Sequence, residues 1–285
     1  MDVALALLAA VAFAGGNVFQ QKGTLEAPAG EDDPRFLLQI LRRPVWLVGA
    51  ILQATGWVLQ AAALDQGSLV VVQSVTTLSL VIALPLGARF TGQLVRRREM
   101  VGALAVVAGI VLFLSVGSPK SGNLHPSSSA WWSAGLVSVL LVASVVVMGR
   151  RRRGAPRAVL FGLGAGVAFG FQAAVTKVFV GQLGHGVSVL LGSWTTYALI
   201  VSALLGFALM QSALKTGVLA PAIASSNATT LVASVVLGVA VFGETLGHGN
   251  GQLIPAVLGL VVAVVGIARL STSPSPATQP QPEPA

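Results

Sequence analysis

Nine stretches of this chain are each apolar over about 20 residues, the length an α-helix needs to cross a hydrocarbon layer. They lie at roughly 3–22, 45–65, 67–90, 99–117, 131–149, 158–181, 188–214, 217–241 and 252–270. Only 9% of the residues are charged and 54% are hydrophobic, whereas a soluble domain carries about 25% charged residues. The expected fold class is therefore all-α: a polytopic membrane protein with about nine transmembrane helices. An outer-membrane barrel would show short alternating segments, and none are present. The chain has no cysteine, which excludes disulfides, thiolate metal ligands and cysteine nucleophiles.

The net charge of +8 does not point to nucleic acid, because the arginines sit in short loops between spans with no interleaved aromatic pattern. Nine crossings bring Lys22, Arg35, Arg42, Arg43, Arg89, Arg96–Arg98, Arg150–Arg153, Arg157, Lys215 and Arg269 to one side. Only Lys120 and Lys177 fall on the other. Basic loops stay cytoplasmic, so the expectation is a multi-pass cell-membrane protein with its N-terminus outside and its C-terminus in the cytoplasm.

Two spans are too polar to be plain lipid-facing anchors. Residues 211–244 hold Pro221, then Ser225, Ser226, Asn227, Thr229 and Thr230, and close on Gly243-Glu244. Residues 62–90 repeat the design: Ala63-Leu64-Asp65-Gln66-Gly67 matches Ala213-Leu214-Lys215-Thr216-Gly217, and Thr76 and Thr77 fall on Ser226 and Asn227. A second echo links Ala10-Val-Ala-Phe13 to Gly166-Val-Ala-Phe169, each followed by a polar tail. The echoes lie an odd number of spans apart, so the copies face opposite ways. Inverted repeats of this kind suit alternating access. The expected organisation is a first repeat over 1–117, a linker over 118–130, a fifth span with the second repeat over 131–270, and a disordered Pro/Ser/Gln-rich tail over 271–285.

The first span is read as retained, since its polar tail recurs in the sixth. Residues 34–44 form an amphipathic piece expected at the interface. Trp131-Trp132 reads as an interfacial anchor. The spacing of Gly102, Ala105 and Gly109 suits close helix packing. Asp65 is expected to cap the third helix, and Glu99 to be interfacial charge.

Polar groups at membrane depth face protein or a water-filled path. The expected cavity residues are Asn17, Gln60, Gln73, Ser74, Thr77, Gln172, Lys177, Gln211, Ser226 and Asn227. Hydroxyls among them could equally serve as interhelical hydrogen bonds; the amides are costlier to leave unpaired. Lys177 has two readings, a partner for a substrate carboxylate or a snorkelling lysine. Glu244 is either a coupling or cation-binding group, or a loop cap or inter-helix contact. His125, His185 and His248 are isolated in loops, and no catalytic or nucleotide-binding constellation is present.

The ALxxG turn opening a polar-faced helix, the closing Gly243-Glu244 and the span Ala256–Gly266 resemble the drug/metabolite transporter superfamily, the EamA-like proteins. Gly92-Gln93 stands where that superfamily has Gly-Glu. Within it, nine spans, Gln211–Lys215 before Ala220-Pro221, and Gln20-Gln21-Lys22-Gly23 are similar to the NIPA-type magnesium transporters. The resemblance implies a secondary transporter of a small polar solute, or a carrier of Mg²⁺ as substrate, with no bound cofactor. Partners would be the bilayer and a small-molecule or ion substrate, not nucleic acid, in a monomer or homodimer. The opposing reading is a membrane scaffold without transport. No enzyme activity is expected.

Overall fold

The computed structural model of the protein describes residues 1–25, 42–92, 95, 97–123, 126–214, 216, 219–246 and 252–270. Among them no strand forms, and the one non-helical pairing is an isolated bridge between Lys120 and Thr245. The helices are α1 (Asp2–Leu25), α2 (Pro44–Gln66), α3 (Leu69–Thr76), α4 (Ser79–Thr91), α5 (Arg97–Gly117), α6 (Ser128–Arg150), α7 (Gly154–Gly181), α8 (Val187–Gly192), α9 (Trp194–Leu214), α10 (Leu219–Ala240) and α11 (Leu253–Leu270). Among the described residues eight spans, counting α3 and α4 as one, are long and apolar enough to cross a membrane, and α11 is a shorter apolar helix. The protein is an all-α polytopic membrane protein. The amphipathic piece at 34–41, the acidic patch before it, Gln93, Lys215, His125, His248 and the tail from Ser271 lie outside the described residues.

Glycines set how closely the helices approach. A Cβ on Gly109 would meet the backbone of Gly259 and Ala263, and one on Gly266 would meet that of Gly102 and Val106. So α5 and α11 pack backbone to backbone and run antiparallel, the use of small residues expected where no hydrophobic force drives helices together. Along α7, Gly162, Gly166 and Gly170 abut Ala222, Ser226 and Ala233 in order, so α7 and α10 are parallel. One contact recurs in both halves: the Phe13 ring fills the space beside Gly56 between α1 and α2, and the Phe169 ring does the same beside Gly206 between α7 and α9.

Several local expectations are corrected. The third span is two helices. Thr77 and Leu78 keep helical dihedrals, but Leu78 N–H reaches Val75 O and Leu80 N–H reaches Thr77 O, a 3₁₀-like tightening of the kind that marks hinges. The Thr76 and Thr77 hydroxyls both donate to Gln73 O, a back-bonding that competes with the helix's own hydrogen bonds. The seventh span is likewise split at Ser193, which is extended. Asp65 is exposed in the last turn of α2; the cap of α3 is Ser68, whose Oγ accepts from Val71 N at 3.0 Å. Trp132 is exposed as an anchor would be, but Trp131 packs edge-on against Phe171, Trp194 and Phe242. Glu99, in the first turn of α5, is buried.

Helix directions gather the described arginines and Lys22 at one end of the bundle. The opposite end holds the N-terminus of α3 and the C-terminal ends of α2, α5, α7 and α10.

Candidate functional site

The first N–H groups of α3 have no partner within their own helix and must be satisfied from outside. Ser68 takes one. Glu244, 174 residues or more along the chain, takes two: Leu69 N donates to Oε1 at 2.6 Å and Val70 N to Oε2 at 2.9 Å. A carboxylate is well placed there, since the N-terminal end of a helix carries partial positive charge. The chain can deliver Glu244 because Gly243 adopts the left-handed conformation, with φ of 63°, which favours glycine. Glu244 N then donates to Gly238 O at 2.9 Å, closing the turn. Gly238 keeps the space open: a Cβ there would sit 2.7 Å from Glu244 Oε2 and 2.6 Å from Val70 Cγ2.

Lys177, near the C-terminal end of α7, completes the cluster. Its Nζ donates to Glu244 Oε1 at 2.8 Å, and the two side chains are 2% and 0% exposed. The ammonium also lies 5.0 Å from the Phe242 ring centroid, a cation–π contact that strengthens when water is excluded. Lys177 is therefore held inside the bundle and does not snorkel. Buried charges are costly unless paired and hydrogen-bonded, and here each is both. The linker covers the cluster from outside: Lys120 N donates to Thr245 O and Asn123 N to Phe242 O.

Among the expected cavity residues, Gln73 and Ser74 on α3, Gln172 and Lys177 on α7 and Ser226 on α10 are buried. Thr77, Gln60 and Asn227 are half-buried, and Asn17 and Gln211 are exposed. Four hydroxyls of α3, α10 and the turn after α3 are satisfied locally: Ser74 donates to Val70 O, Thr77 to Gln73 O, Ser225 to Pro221 O, and Thr230 to Ser226 O. The amides are different. Gln73 Nε2 and Gln172 Oε1 are buried with no protein partner, the state of groups that water or a solute would complete. Gln53 Oε1 on α2 and Ser234 Oγ on α10 share this condition; neither is among the residues expected from the sequence. Among the described residues no group of three or more His, Asp or Glu converges to hold a metal ion.

The pairing of Lys177 with Glu244 was also missed. The available signal was topological: both lie at the end of the bundle that the basic residues avoid.

An uncharacterized protein of Corynebacterium glutamicum is 31% identical to this chain over 280 residues, covering 96% of this chain and 97% of that one. A "Probable magnesium transporter NIPA9" of Arabidopsis thaliana is 23% identical over 268 residues, covering 90% of this chain and 78% of that one. No family model and no solved structure matches.

Proposed function

This chain belongs to one family with the Corynebacterium glutamicum protein, and from that premise we propose that it is a secondary membrane transporter of the drug/metabolite type, moving a small polar solute by alternating access. The observation that carries the reading is the buried polar seam between α3 and α7. Two amide groups there lack a protein partner, beside an ion pair sealed within an apolar bundle. A scaffold held in lipid gains nothing from such groups, which are costly in hydrocarbon. The recurring ring-on-glycine contact and the antiparallel α5 and α11 support two inverted repeats. The arginine-rich end would face the cytoplasm of the cell membrane.

The similarity to a protein named as a magnesium transporter favours a second reading, with Mg²⁺ as the substrate. Mg²⁺ dehydrates reluctantly and is held by one or two carboxylates with several retained waters. Glu244 is already occupied by Lys177 and two amides. Passage would thus be of a hydrated ion over amides and carbonyls such as those of Gln73 and Gln172.

Proteoliposomes loaded with a fluorescent Mg²⁺ indicator separate the two readings. Uptake above protein-free vesicles, lost in Asn227→Ala with folding intact, supports magnesium. No uptake at either membrane polarity overturns the magnesium reading and leaves the organic solute, which counterflow with small organic acids then tests.

A further inference from the structure

Packing along the third span differs from one end to the other. In α3, every residue but Val71 is buried. In α4, the continuation of the same span, only Gly87 is. A groove of about 730 Å³ opens along α4 and α5, lined by Val81, Leu84, Pro85, Met100, Leu104 and Arg89. The buried half of the span is a separate eight-residue helix, joined to the rest by the 3₁₀-like turn at Thr77–Leu78. Its outer end joins α2 through Gly67 and Ser68 and is held by groups from the other half of the chain: the Glu244 carboxylate on Leu69 N and Val70 N, and Lys177 on the same carboxylate.

We propose that Lys177 and Glu244 form a latch that keeps α3 closed against α7 and the 241–245 turn, and that the transport cycle releases it so that α3 swings about Thr77–Leu78. The proposal rests on the transporter reading above. Its physical basis is that the polar contacts made to the outer end of α3 by the other half of the chain converge on one carboxylate, while its inner end is a hinge. Released together, these contacts free one short element and leave the glycine seams of α5 with α11 and α7 with α10 intact. Packed interfaces of this kind switch between discrete arrangements rather than deform continuously, and a population shift is set by how differently a contact stabilises the two states.

The chain has no cysteine, so single cysteines report cleanly. Val72 on α3 and Val106 on α5 are both 0% exposed. In proteoliposomes, a membrane-impermeant maleimide is added from the Glu244 face to Val72→Cys and to Val106→Cys, each in the native, Glu244→Gln and Lys177→Met backgrounds. The latch predicts that labelling of Val72→Cys rises roughly tenfold or more in both latch variants, with Val106→Cys protected throughout. Unchanged protection of Val72→Cys overturns it. Equal exposure of both probes also overturns it, since the pair would then be a strut of the whole fold. Mg²⁺ and organic-acid flux are read on the same vesicles. Opening without any flux would keep the latch and remove the transporter reading; flux with Val72→Cys protected would do the reverse.

Discussion

Lys177 Nζ lies 2.8 Å from Glu244 Oε1, and that same oxygen accepts from Leu69 N at 2.6 Å. One carboxylate thus joins three parts of the chain: the end of α7, the turn after α10 and the start of α3. Removing different members of this junction should have different costs. Glu244→Gln leaves a buried ammonium without its counter-charge and, with the amide oxygen kept on Leu69 N and Lys177, turns an NH₂ toward Val70 N, which only donates. Breaking a buried pair in this way costs about 3–5 kcal/mol. Lys177→Met leaves the carboxylate with its two backbone donors and should cost less, about 1.5–3 kcal/mol for one lost charge-assisted bond. Thermal unfolding in detergent should rank the native protein first, Lys177→Met second and Glu244→Gln last. The reverse order of the two variants would contradict the assignment of the carboxylate as the hub.

Exchanging the charges should not repair the junction. In Lys177→Glu/Glu244→Lys the ammonium would face the N–H groups of Leu69 and Val70, which donate and cannot accept. It would also sit at the positive end of α3. The double variant should melt no higher than Glu244→Gln. Full recovery would mean that pair attraction alone matters and that the helix cap contributes nothing.

Two glycines should respond in opposite directions to the same change. At Gly109 a Cβ would strike the backbone of Ala263 and Gly259, which cannot rotate away. Gly109→Ala should push α5 from α11 and cost about 1–3 kcal/mol, as overpacking does. At Gly135, within α6, nothing lies within 4 Å of the added atom. Gly135→Ala should be neutral or stabilise by up to about 1 kcal/mol through lower chain entropy. Unfolding midpoints of the two variants test the seam directly.

Gln73 offers a test in which stability and function part company. Its Nε2 is buried without a protein partner, and an unsatisfied buried donor costs about 1–3 kcal/mol. Gln73→Leu should therefore leave stability unchanged or raise it, while transport falls at least roughly tenfold, because a substrate interaction worth about 1.4 kcal/mol or more is lost. Lower stability with undiminished transport would mark Gln73 as a packing residue.

The helical spans were legible because length and apolarity alone decide what can cross a bilayer. Two of the sequence matches fall on like local geometry. Phe13 and Phe169, matched by their Val-Ala-Phe context, each sit against a glycine of the next span in their half. Gly92 and Gly243, matched as the turns closing spans three and eight, both have positive φ, 69° and 63°. What sequence patterning could not yield is whatever depends on distant partners. The break at Thr77–Leu78 falls among Gln73, Ser74, Thr76, Thr77 and Ser79, with Pro85 well beyond it, and polar residues of this kind occur in unbroken membrane helices as well. Asp65 looked like the cap of α3, yet Ser68 and a carboxylate from the far half of the chain do that work. Hydroxyls and amides looked alike as pathway groups. Only the structure separates them, because the hydroxyls of Ser74, Thr77 and Ser225 turn back onto carbonyls of the preceding turn while Gln73 Nε2 and Gln172 Oε1 find no such partner.

The most direct test of a polar path through the bundle needs no knowledge of the substrate. Asn227 is half-buried on α10 beside the buried Ser226, and Asn227→Cys would be the protein's single cysteine. In vesicles of known orientation, an impermeant thiol reagent should modify it from the arginine-rich face, more slowly from the Glu244 face, and roughly tenfold faster from that second face once Glu244→Gln is added. No reaction from either face, in protein that is folded and monodisperse, would contradict a water-accessible path and leave a sealed membrane scaffold.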